Sequence, residues 1–180
     1  MDLTSLRNDP FALLQALEAQ VRAARLDATA GAAQAWTGLG FRLGTTWFVA
    51  PRDDVREVIT PPATTRVPNA RSWVRGLANV RGELLAIIDL AGVLGLAEGS
   101  AQRAQRVLVL NSKRVPAGFL VDEVAGYRQF TPGEQRGEIA TQGQPFDRYL
   151  LGAFVREGQP WLAFSLHKLA LDESFRSAAL

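Results

Sequence analysis

The sequence contains no cysteine and only one histidine, His167, among its 180 residues. These absences exclude a disulfide framework, a zinc site built on thiolates, and a cysteine and histidine acting together as nucleophile and base. No apolar run approaches the ~20 residues that a membrane-spanning helix needs, and no cationic segment precedes an apolar stretch at the N-terminus. We therefore expect a soluble cytoplasmic protein.

Lysine is also scarce, because Lys113 and Lys168 are the only two among 20 basic residues. The 18 acidic residues leave a net charge of +2, so the overall charge does not by itself indicate a nucleic-acid-binding protein. Arginine suits carboxylate partners at interfaces, because its planar guanidinium donates in a fixed fork. A GC-rich genome would produce the same preference for arginine.

The remaining composition is typical of a folded domain, with 47% hydrophobic and 21% charged residues. The length suits one ordinary domain or two small lobes that share a core. Changes in composition along the chain indicate where the boundaries fall. We predict a helix and linker over residues 1–35, one domain over residues 36–175 and a short tail over residues 176–180.

Residues 9–26 have the pattern of one amphipathic helix. Asp9 is suited to the N-cap, and Pro10 falls at the first helical position, where its missing N–H has no intrahelical partner to lose. Large apolar side chains recur every three or four residues and form one stripe, at Phe11, Leu14, Leu17 and Val21. We expect this stripe either to pack against the domain or to bind a partner.

From Trp36 onward, short apolar runs alternate with turn-forming residues, which predicts a mainly β domain. Two short helices are expected over residues 91–94 and 166–171. Tight turns are expected at Gly82, which would supply a positive φ after Arg81, and at Glu157-Gly158. The polar stretch 98–105 is expected to separate a first β lobe from a second. The predicted strands are 41–43, 47–50, 55–59, a segment within 72–81, 84–90, 107–110, 115–121, 149–156 and 161–165. The almost unbroken apolar run 84–90 is expected to be a core strand covered on both faces.

The candidates for chemistry are few. Adjacent carboxylates at 53–54 and 122–123 are interpreted as turn residues, because neighbouring side chains seldom share a face and no third metal ligand is evident. Ser165 and His167 are two apart, but no glycine elbow precedes the serine. The glycine spacing does not match a phosphate-binding loop. We therefore expect no catalytic residue, no cofactor and no bound metal.

The segment from residue 60 to residue 82 contains no acid, but it contains arginine at positions 66, 71, 75 and 81 and a tryptophan at position 73. Tryptophan and arginine are enriched at the energetic centres of protein–protein interfaces. Small β-barrels grip single-stranded nucleic acid with the same residue types. The segment thus predicts a protein interface, with a binder of single-stranded nucleic acid as the alternative.

Four consecutive motifs in and beyond this segment resemble the signature of CheW-like coupling domains. They are Val67-Pro68-Asn69, Trp73-Val74-Arg75-Gly76, Asn79-Val80-Arg81-Gly82 and Ile87-Ile88-Asp89-Leu90. The resemblance extends upstream and downstream, over roughly residues 40–170. It implies two five-stranded β-barrel lobes around a shared hydrophobic core, and it implies no catalysis.

The same resemblance implies the partners. CheW-like proteins bridge the cytoplasmic tip of a chemoreceptor and the regulatory domain of a CheA-type histidine kinase, within membrane-associated chemoreceptor arrays. The N-terminal region and the run Phe164-Ser165-Leu166-His167 are similar to the branch of the family that serves type IV pilus twitching motility. For that branch the implied partners are a PilJ-like receptor and a ChpA-like kinase.

The resemblance also implies a partner-binding surface. By position, Glu57 and Arg81 match an acid and an arginine that the family associates with receptor coupling, and we expect a charge-assisted contact between them. Val55, Gly76 and Val124 match nearby positions on that receptor-facing surface. We hypothesise that Gly76 lets a receptor helix approach the backbone closely. The alternative is that this glycine only satisfies a turn.

Overall fold

The computed structural model describes residues 35–96, 102–137 and 144–179, and the predicted N-terminal helix lies outside these ranges. The described chain is mainly β, as predicted. Its strands are β1 (Trp36–Leu43), β2 (Thr46–Pro51), β3 (Val55–Ile59), β4 (Val74–Val80), β5 (Glu83–Asp89), β6 (Arg106–Leu110), β7 (Ala117–Val121), β8 (Glu123–Phe130), β9 (Gln135–Arg136), β10 (Leu150–Arg156) and β11 (Gln159–Phe164). Its α-helices are α1 (Leu90–Leu94), α2 (Leu166–Leu171) and α3 (Glu173–Ala179). None of these helices is long and apolar enough to cross a membrane.

The strands form two sheets, and the chain passes back and forth between them. One sheet has the order β8-β1-β2-β11-β10-β9, and the other has the order β3-β6-β7-β5-β4. The prediction that strands before the polar stretch 98–105 form one lobe and later strands form the other is therefore wrong. Local turn residues specify hairpins, whereas the choice of sheet depends on pairings between distant segments, which no local pattern encodes.

The two sheets share one topology. If the two-residue strand β9 is set aside, β8-β1-β2-β11-β10 corresponds strand by strand to β3-β6-β7-β5-β4. In both sheets the successive pairings are antiparallel, antiparallel, parallel and antiparallel. The two lobes are thus copies of one repeat. In the six-stranded lobe, β1 and β2 correspond to β6 and β7, the last two strands of the other copy, but they come first in the chain. In both copies the hairpin around a glycine turn is followed by a short helix, α1 or α2.

Equivalent hairpins close both copies of the repeat. The β4–β5 hairpin turns at Arg81 (φ 52°) and Gly82 (φ 85°), and the β10–β11 hairpin turns at Glu157 (φ 50°) and Gly158 (φ 78°). Two central residues with positive φ define the type I′ turn, whose twist matches that of the flanking strands. The predicted turns are confirmed. The positive φ of Arg81 and Glu157 was not expected, because these residue types rarely adopt it.

The buried side chains form three clusters. Each lobe has a small cluster of its own, centred on Ile87 and Val107 in the five-stranded lobe and on Phe130 and Trp161 in the six-stranded lobe. The largest cluster contains side chains from both sheets and from the helices. The expectation of two lobes around a shared hydrophobic core is confirmed.

One expectation about the core is wrong. The apolar run 84–90 was expected to be covered on both faces, but Leu84 is 57% exposed, while Leu85 and the residues that follow it are buried. Leu84 lies one residue from the β4–β5 turn, where the hairpin projects past its neighbouring strands. Strand β5 pairs with β7 only from Ala86 onward, so Leu84 has a paired strand, β4, on one side only.

In the six-stranded lobe an ion pair joins the 3-10 turn between β8 and β9, which contains Glu134, to Arg156 at the end of β10. Arg156 donates from Nε to Glu134 Oε1 at 2.6 Å and from Nη2 to Glu134 Oε2 at 3.0 Å. The backbone N–H of Thr131 donates to the same carboxylate at 2.7 Å. The Arg156 hydrogen bonds, followed by that of Thr131, hold the pKa of Glu134 at about 2, below its ordinary value of 4.5.

This pKa predicts an acid-dependent loss of stability. A carboxyl with a depressed pKa in the folded state stabilises the protein above its unfolded pKa, so the contribution is lost as the pH falls from about 4.5 towards about 2. We expect the free energy of unfolding to fall less steeply over this range in Glu134→Gln than in the wild type. Urea unfolding at a series of pH values measures this, and identical pH profiles would refute it. Because the pair is solvated, the expected difference is small.

Candidate partner-binding site

The β4–β5 turn positions the arginine that the family resemblance singled out. Asn79 Oδ1 accepts a hydrogen bond from the Gly82 N–H at 2.9 Å, which fixes the turn across its two central residues. Arg81 occupies the first of these positions, and its side chain is 79% exposed. The Asn-x-Arg-Gly motif thus has a local physical basis. Asparagine and glycine build the turn, and arginine is the residue that it presents.

The expected contact between Arg81 and Glu57 is present. Arg81 Nη2 lies 2.9 Å from Glu57 Oε2, and the Glu57 side chain is only 21% exposed. Glu57 lies on β3, at one edge of the five-stranded sheet, and Arg81 ends β4, at the opposite edge. The ion pair therefore brings together the two edges of the sheet as it curls into a lobe.

Two further residues extend this contact into a network. Arg56 Nη2 lies 2.8 Å from Glu83 Oε2, and Arg56 Nε lies 3.9 Å from Glu57 Oε1. We call Arg56, Glu57, Arg81 and Glu83 the edge network. Sequence reasoning missed Arg56 and Glu83, because they come together only when the two sheet edges meet. Their position beside the two matched residues was the only available indication.

Exposed apolar side chains adjoin the edge network along the chain. Val58 follows Glu57 on β3 and is 39% exposed, and the exposed Leu84 follows Glu83 on β5. Apolar groups with charged neighbours are typical of protein–protein interfaces, which combine a desolvated centre with a polar rim. This end of the five-stranded lobe has both components.

Val55 and Gly76 lie close to the edge network in the chain but are buried. Val55 is 7% exposed and belongs to the shared core. Gly76 has φ +137°, and a Cβ placed on it would collide with the carbonyl oxygen of Thr65. Thr65 pairs with Leu77 through two backbone hydrogen bonds of 2.8 Å. The chain's own Thr65 occupies the space next to Gly76, so this glycine allows a close approach within the chain, and the approach of a receptor helix to its backbone stays a prediction.

Val124 lies in the other lobe. It is half-buried on β8, where it pairs with Phe41 and packs against the shared core. Its neighbour Glu123 pairs with Arg42 at 2.8 Å. The structure therefore places Val124 on a different sheet from Glu57 and Arg81. The five positions that match the family's partner-binding surface therefore do not lie on one sheet.

The tryptophan of the arginine-rich segment is committed to internal packing. The Trp73 ring stacks on Phe175 of α3, with ring centroids 5.5 Å apart and an interplanar angle of 11°. Arg75, in the same segment, pairs with the buried Asp89 at 2.5 Å. Stacking of a nucleic-acid base needs a free ring face. One face of the Trp73 ring is thus already occupied by Phe175 within the fold.

Ser165 and His167 lie beside a carboxylate but not in the order that catalysis needs. Asp54 Oδ2 accepts hydrogen bonds from Ser165 Oγ at 3.2 Å and from the His167 backbone N–H at 3.3 Å. The imidazole Nε2 is 3.9 Å from Asp54 Oδ1, so histidine does not stand between serine and acid as in a hydrolase triad. Burial raises the pKa of Asp54 above its ordinary value.

These contacts are structural, because they join the start of β3 in one lobe to α2, which follows the other lobe. Ser165 Oγ also accepts from the Lys168 N–H at 3.2 Å and so caps α2. Within residues 35–96, 102–137 and 144–179, no three histidine or acidic side chains are grouped to hold a metal ion.

The two interleaved sheets and the Asn-x-Arg-Gly hairpin define a CheW-like protein. The sequence profile of the CheW-like domain family matches residues 37–174, and the chain belongs to that family. Among characterised relatives it is 44% identical to Protein PilI of Pseudomonas aeruginosa over 176 residues. That match covers 95% of this chain and 97% of PilI. The family inferred from the sequence motifs is confirmed.

Two further comparisons agree with this assignment. The chain is 28% identical to the chemotaxis protein CheW of Thermotoga maritima over 117 residues, which covers 65% of this chain and 76% of that protein. The crystal structure of the scaffolding protein TtCheW from Thermoanaerobacter tengcongensis matches with a TM-score of 0.66 at 18% identity. It covers 79% of this chain and 95% of TtCheW, which confirms the CheW-like fold.

Proposed function

We propose that this chain is a non-catalytic adaptor that couples a methyl-accepting chemoreceptor to a CheA-type histidine kinase in the control of type IV pilus twitching motility. The similarity to PilI over 97% of that protein supports the pathway. The proposed partners are the cytoplasmic tip of a PilJ-like receptor and the regulatory domain of a ChpA-like kinase. The adaptor would work in the cytoplasm, recruited to receptor arrays at the membrane.

The edge network is the observation that carries the proposal. An adaptor needs an adhesive group held in a fixed direction on a rigid body. Glu57 is mostly buried and anchors one side of the Arg81 guanidinium, while the rest of that side chain is exposed. The remaining N–H donors of Arg81 are suited to an acidic or carbonyl group on a partner helix.

The architecture supports signal transfer between two partners. The largest buried cluster is shared by both sheets, so the lobes are packed against each other through a common core. A partner that displaces β3 or β4 in one lobe would therefore also displace the other lobe through this shared core. Val55 and Gly76 are proposed to influence the receptor surface through these strands rather than by touching the receptor, and Val124 is proposed to contribute from the other lobe.

Arg81→Glu is expected to weaken binding of the receptor's cytoplasmic fragment at least tenfold, because it places a negative charge beside Glu57 and removes the guanidinium. The unfolding temperature should change by less than about two degrees, since exposed ion pairs contribute about 0–1 kcal/mol. Calorimetric titration of the purified protein with a PilJ-like receptor fragment measures the binding. Arg81→Lys, which keeps the charge, is the matched control.

The same titration separates the remaining possibilities. The regulatory domain of the ChpA-like kinase and a single-stranded oligonucleotide are titrated in parallel. Saturable binding of receptor and kinase without oligonucleotide binding supports the adaptor. Oligonucleotide binding that weakens steeply with salt, with no binding of either protein, would overturn it. A collapse of stability in Arg81→Glu would instead make Arg81 a structural residue.

A further inference from the structure

We infer that Glu83 is a positioning residue for the receptor-facing surface, because by holding Arg56 it keeps the Glu57 carboxylate available to Arg81. The inference concerns the edge network and rests on the proposed function only for the identity of the partner. Neither Arg56 nor Glu83 belongs to the motifs that carry the family resemblance.

The network is a chain of alternating charges. Glu83 contacts Arg56 at 2.8 Å, Arg56 lies 3.9 Å from Glu57, and Glu57 contacts Arg81 at 2.9 Å. Arg56 is thus at hydrogen-bonding distance from Glu83 and farther away from Glu57. The distances indicate that Glu83 holds the Arg56 guanidinium and that Glu57 holds the Arg81 guanidinium.

Arg56 and Arg81 are competitors for Glu57. Arg56 is the direct chain neighbour of Glu57, and its side chain is only 38% exposed, so its guanidinium stays near the strand. Arg81 reaches Glu57 from the hairpin across the sheet edges, with a side chain that is 79% exposed. If Glu83 loses its charge, Glu57 becomes the acid nearest to Arg56. Two guanidinium groups at one carboxylate repel each other, and the more exposed Arg81 is the one displaced.

Displacement of Arg81 matters for binding because of conformational entropy. An arginine anchored on one side presents its other donors in one direction, whereas a free arginine must be immobilised by the partner at a cost in affinity. Glu83 would therefore affect the partner without touching it. A merely structural Glu83–Arg56 ion pair would lower stability when either partner is removed, and removal of Arg56 would not restore receptor binding in Glu83→Gln.

The test is a set of three variants titrated with the receptor's cytoplasmic fragment. Glu83→Gln is expected to weaken binding three- to fivefold, and Arg56→Gln alone is titrated as the reference for the double variant. The double variant Glu83→Gln/Arg56→Gln is expected to bind within about twofold of Arg56→Gln, because the competitor for Glu57 is gone. A double variant that binds as weakly as Glu83→Gln, or more weakly, would overturn the inference.

The matched control is Glu134→Gln. It removes the same charge from an ion pair in the other lobe, where Arg156 is the partner. It is expected to bind the receptor fragment like the wild type. A loss equal to that of Glu83→Gln would assign the effect to net charge and would also contradict the inference.

A measurement without any partner separates this inference from the proposed function. The NMR signal of the Arg81 Nε–H group is compared among variants, with Glu57→Gln as the reference for an arginine that has lost its acid. In Glu83→Gln the signal should move towards that reference, and in the double variant it should return. An unmoved signal refutes the role of Glu83. If the signal moves as expected while the wild-type protein binds no receptor fragment, the proposed function fails and the role of Glu83 stands.

Discussion

Replacing Phe48 with alanine is expected to lower the free energy of unfolding by about 3–5 kcal/mol. Phe48 lies on β2, is fully buried, and belongs to the cluster that both sheets share. Its ring contacts three other aromatic rings, those of Phe41, Phe146 and Phe164, at centroid distances of 5.5, 5.6 and 5.8 Å. Truncation to alanine leaves a cavity that three rigid rings cannot easily fill.

Urea unfolding followed by tryptophan fluorescence and by circular dichroism measures this loss. Because the cluster spans both lobes, we expect the two probes to report one coincident transition in the wild type and in the variant. Leu84→Ala is the control, since that side chain is 57% exposed and its truncation should change stability by less than about 0.5 kcal/mol. Two separate transitions, or equal losses in Phe48→Ala and Leu84→Ala, would contradict the shared core.

Gly76→Ala is expected to destabilise the protein by about 2–5 kcal/mol. A positive φ that non-glycine residues rarely adopt costs about 1–3 kcal/mol, and overlap of a new methyl group with packed backbone costs a similar amount. Both conditions hold at Gly76, where φ is +137° and a Cβ would lie 2.9 Å from the carbonyl carbon of Thr65. The Thr65 segment would have to move away from β4, breaking its two hydrogen bonds with Leu77.

Gly82→Ala is the matched comparison. Gly82 also has a positive φ, of +85°, but nothing lies within 4 Å of its Cβ position. Gly82→Ala should lower the free energy of unfolding by only about 1–2 kcal/mol, which is the cost of the positive φ without any steric overlap. Thermal unfolding distinguishes the two, at about 2–4 °C per kcal/mol for a domain of this size. Equal shifts in the unfolding temperature of the two variants would show that the Thr65 segment can move away from Gly76 without loss of stability.

The Gly76 result bears on how partner-binding data should be interpreted. Gly76 is buried beneath Thr65, so a partner cannot reach its Cβ position in the folded protein. Weak receptor binding by a Gly76 variant would therefore follow from displacement of the Thr65 segment or from a larger unfolded fraction. Arg81→Glu differs in this respect, because its side chain is exposed and its stability should be retained.

Local features of the fold could be predicted from the sequence because their causes are local. Glycine at position 82 predicted a turn, and the N-cap Asp89 with the closing Gly95 bounds the predicted helix α1. The motif around Arg81 predicted the residue that the hairpin presents, and the match at Glu57 predicted its ionic partner. Each of these predictions depended on a few neighbouring residues or on a family pattern.

Features that depend on distant segments could not be predicted. No local pattern indicates that β2 pairs with β11, or that Arg56 meets Glu83. Tryptophan is a residue type enriched at the centres of interfaces, so Trp73 was expected to bind a partner. Its stacking on Phe175 could not be predicted, because it depends on where α3 packs. Exposure is likewise a property of the assembled lobes, which is why Leu84 was assigned to the core.

The interleaved order of the strands has a consequence for synthesis on the ribosome. β1 and β2 emerge early, but their sheet needs β8 and β11, so the hairpin must wait until Phe164 has been translated. At 5–20 residues per second the delay is about 10 s, far longer than a hairpin takes to form. During this time Phe48 lacks the contacts with the rings of Phe146 and Phe164 that help to bury it in the folded protein. The nascent chain is therefore a natural client for chaperones that shield apolar surface, and the five-stranded lobe, whose strands form one continuous stretch of chain, is the part that can assemble first.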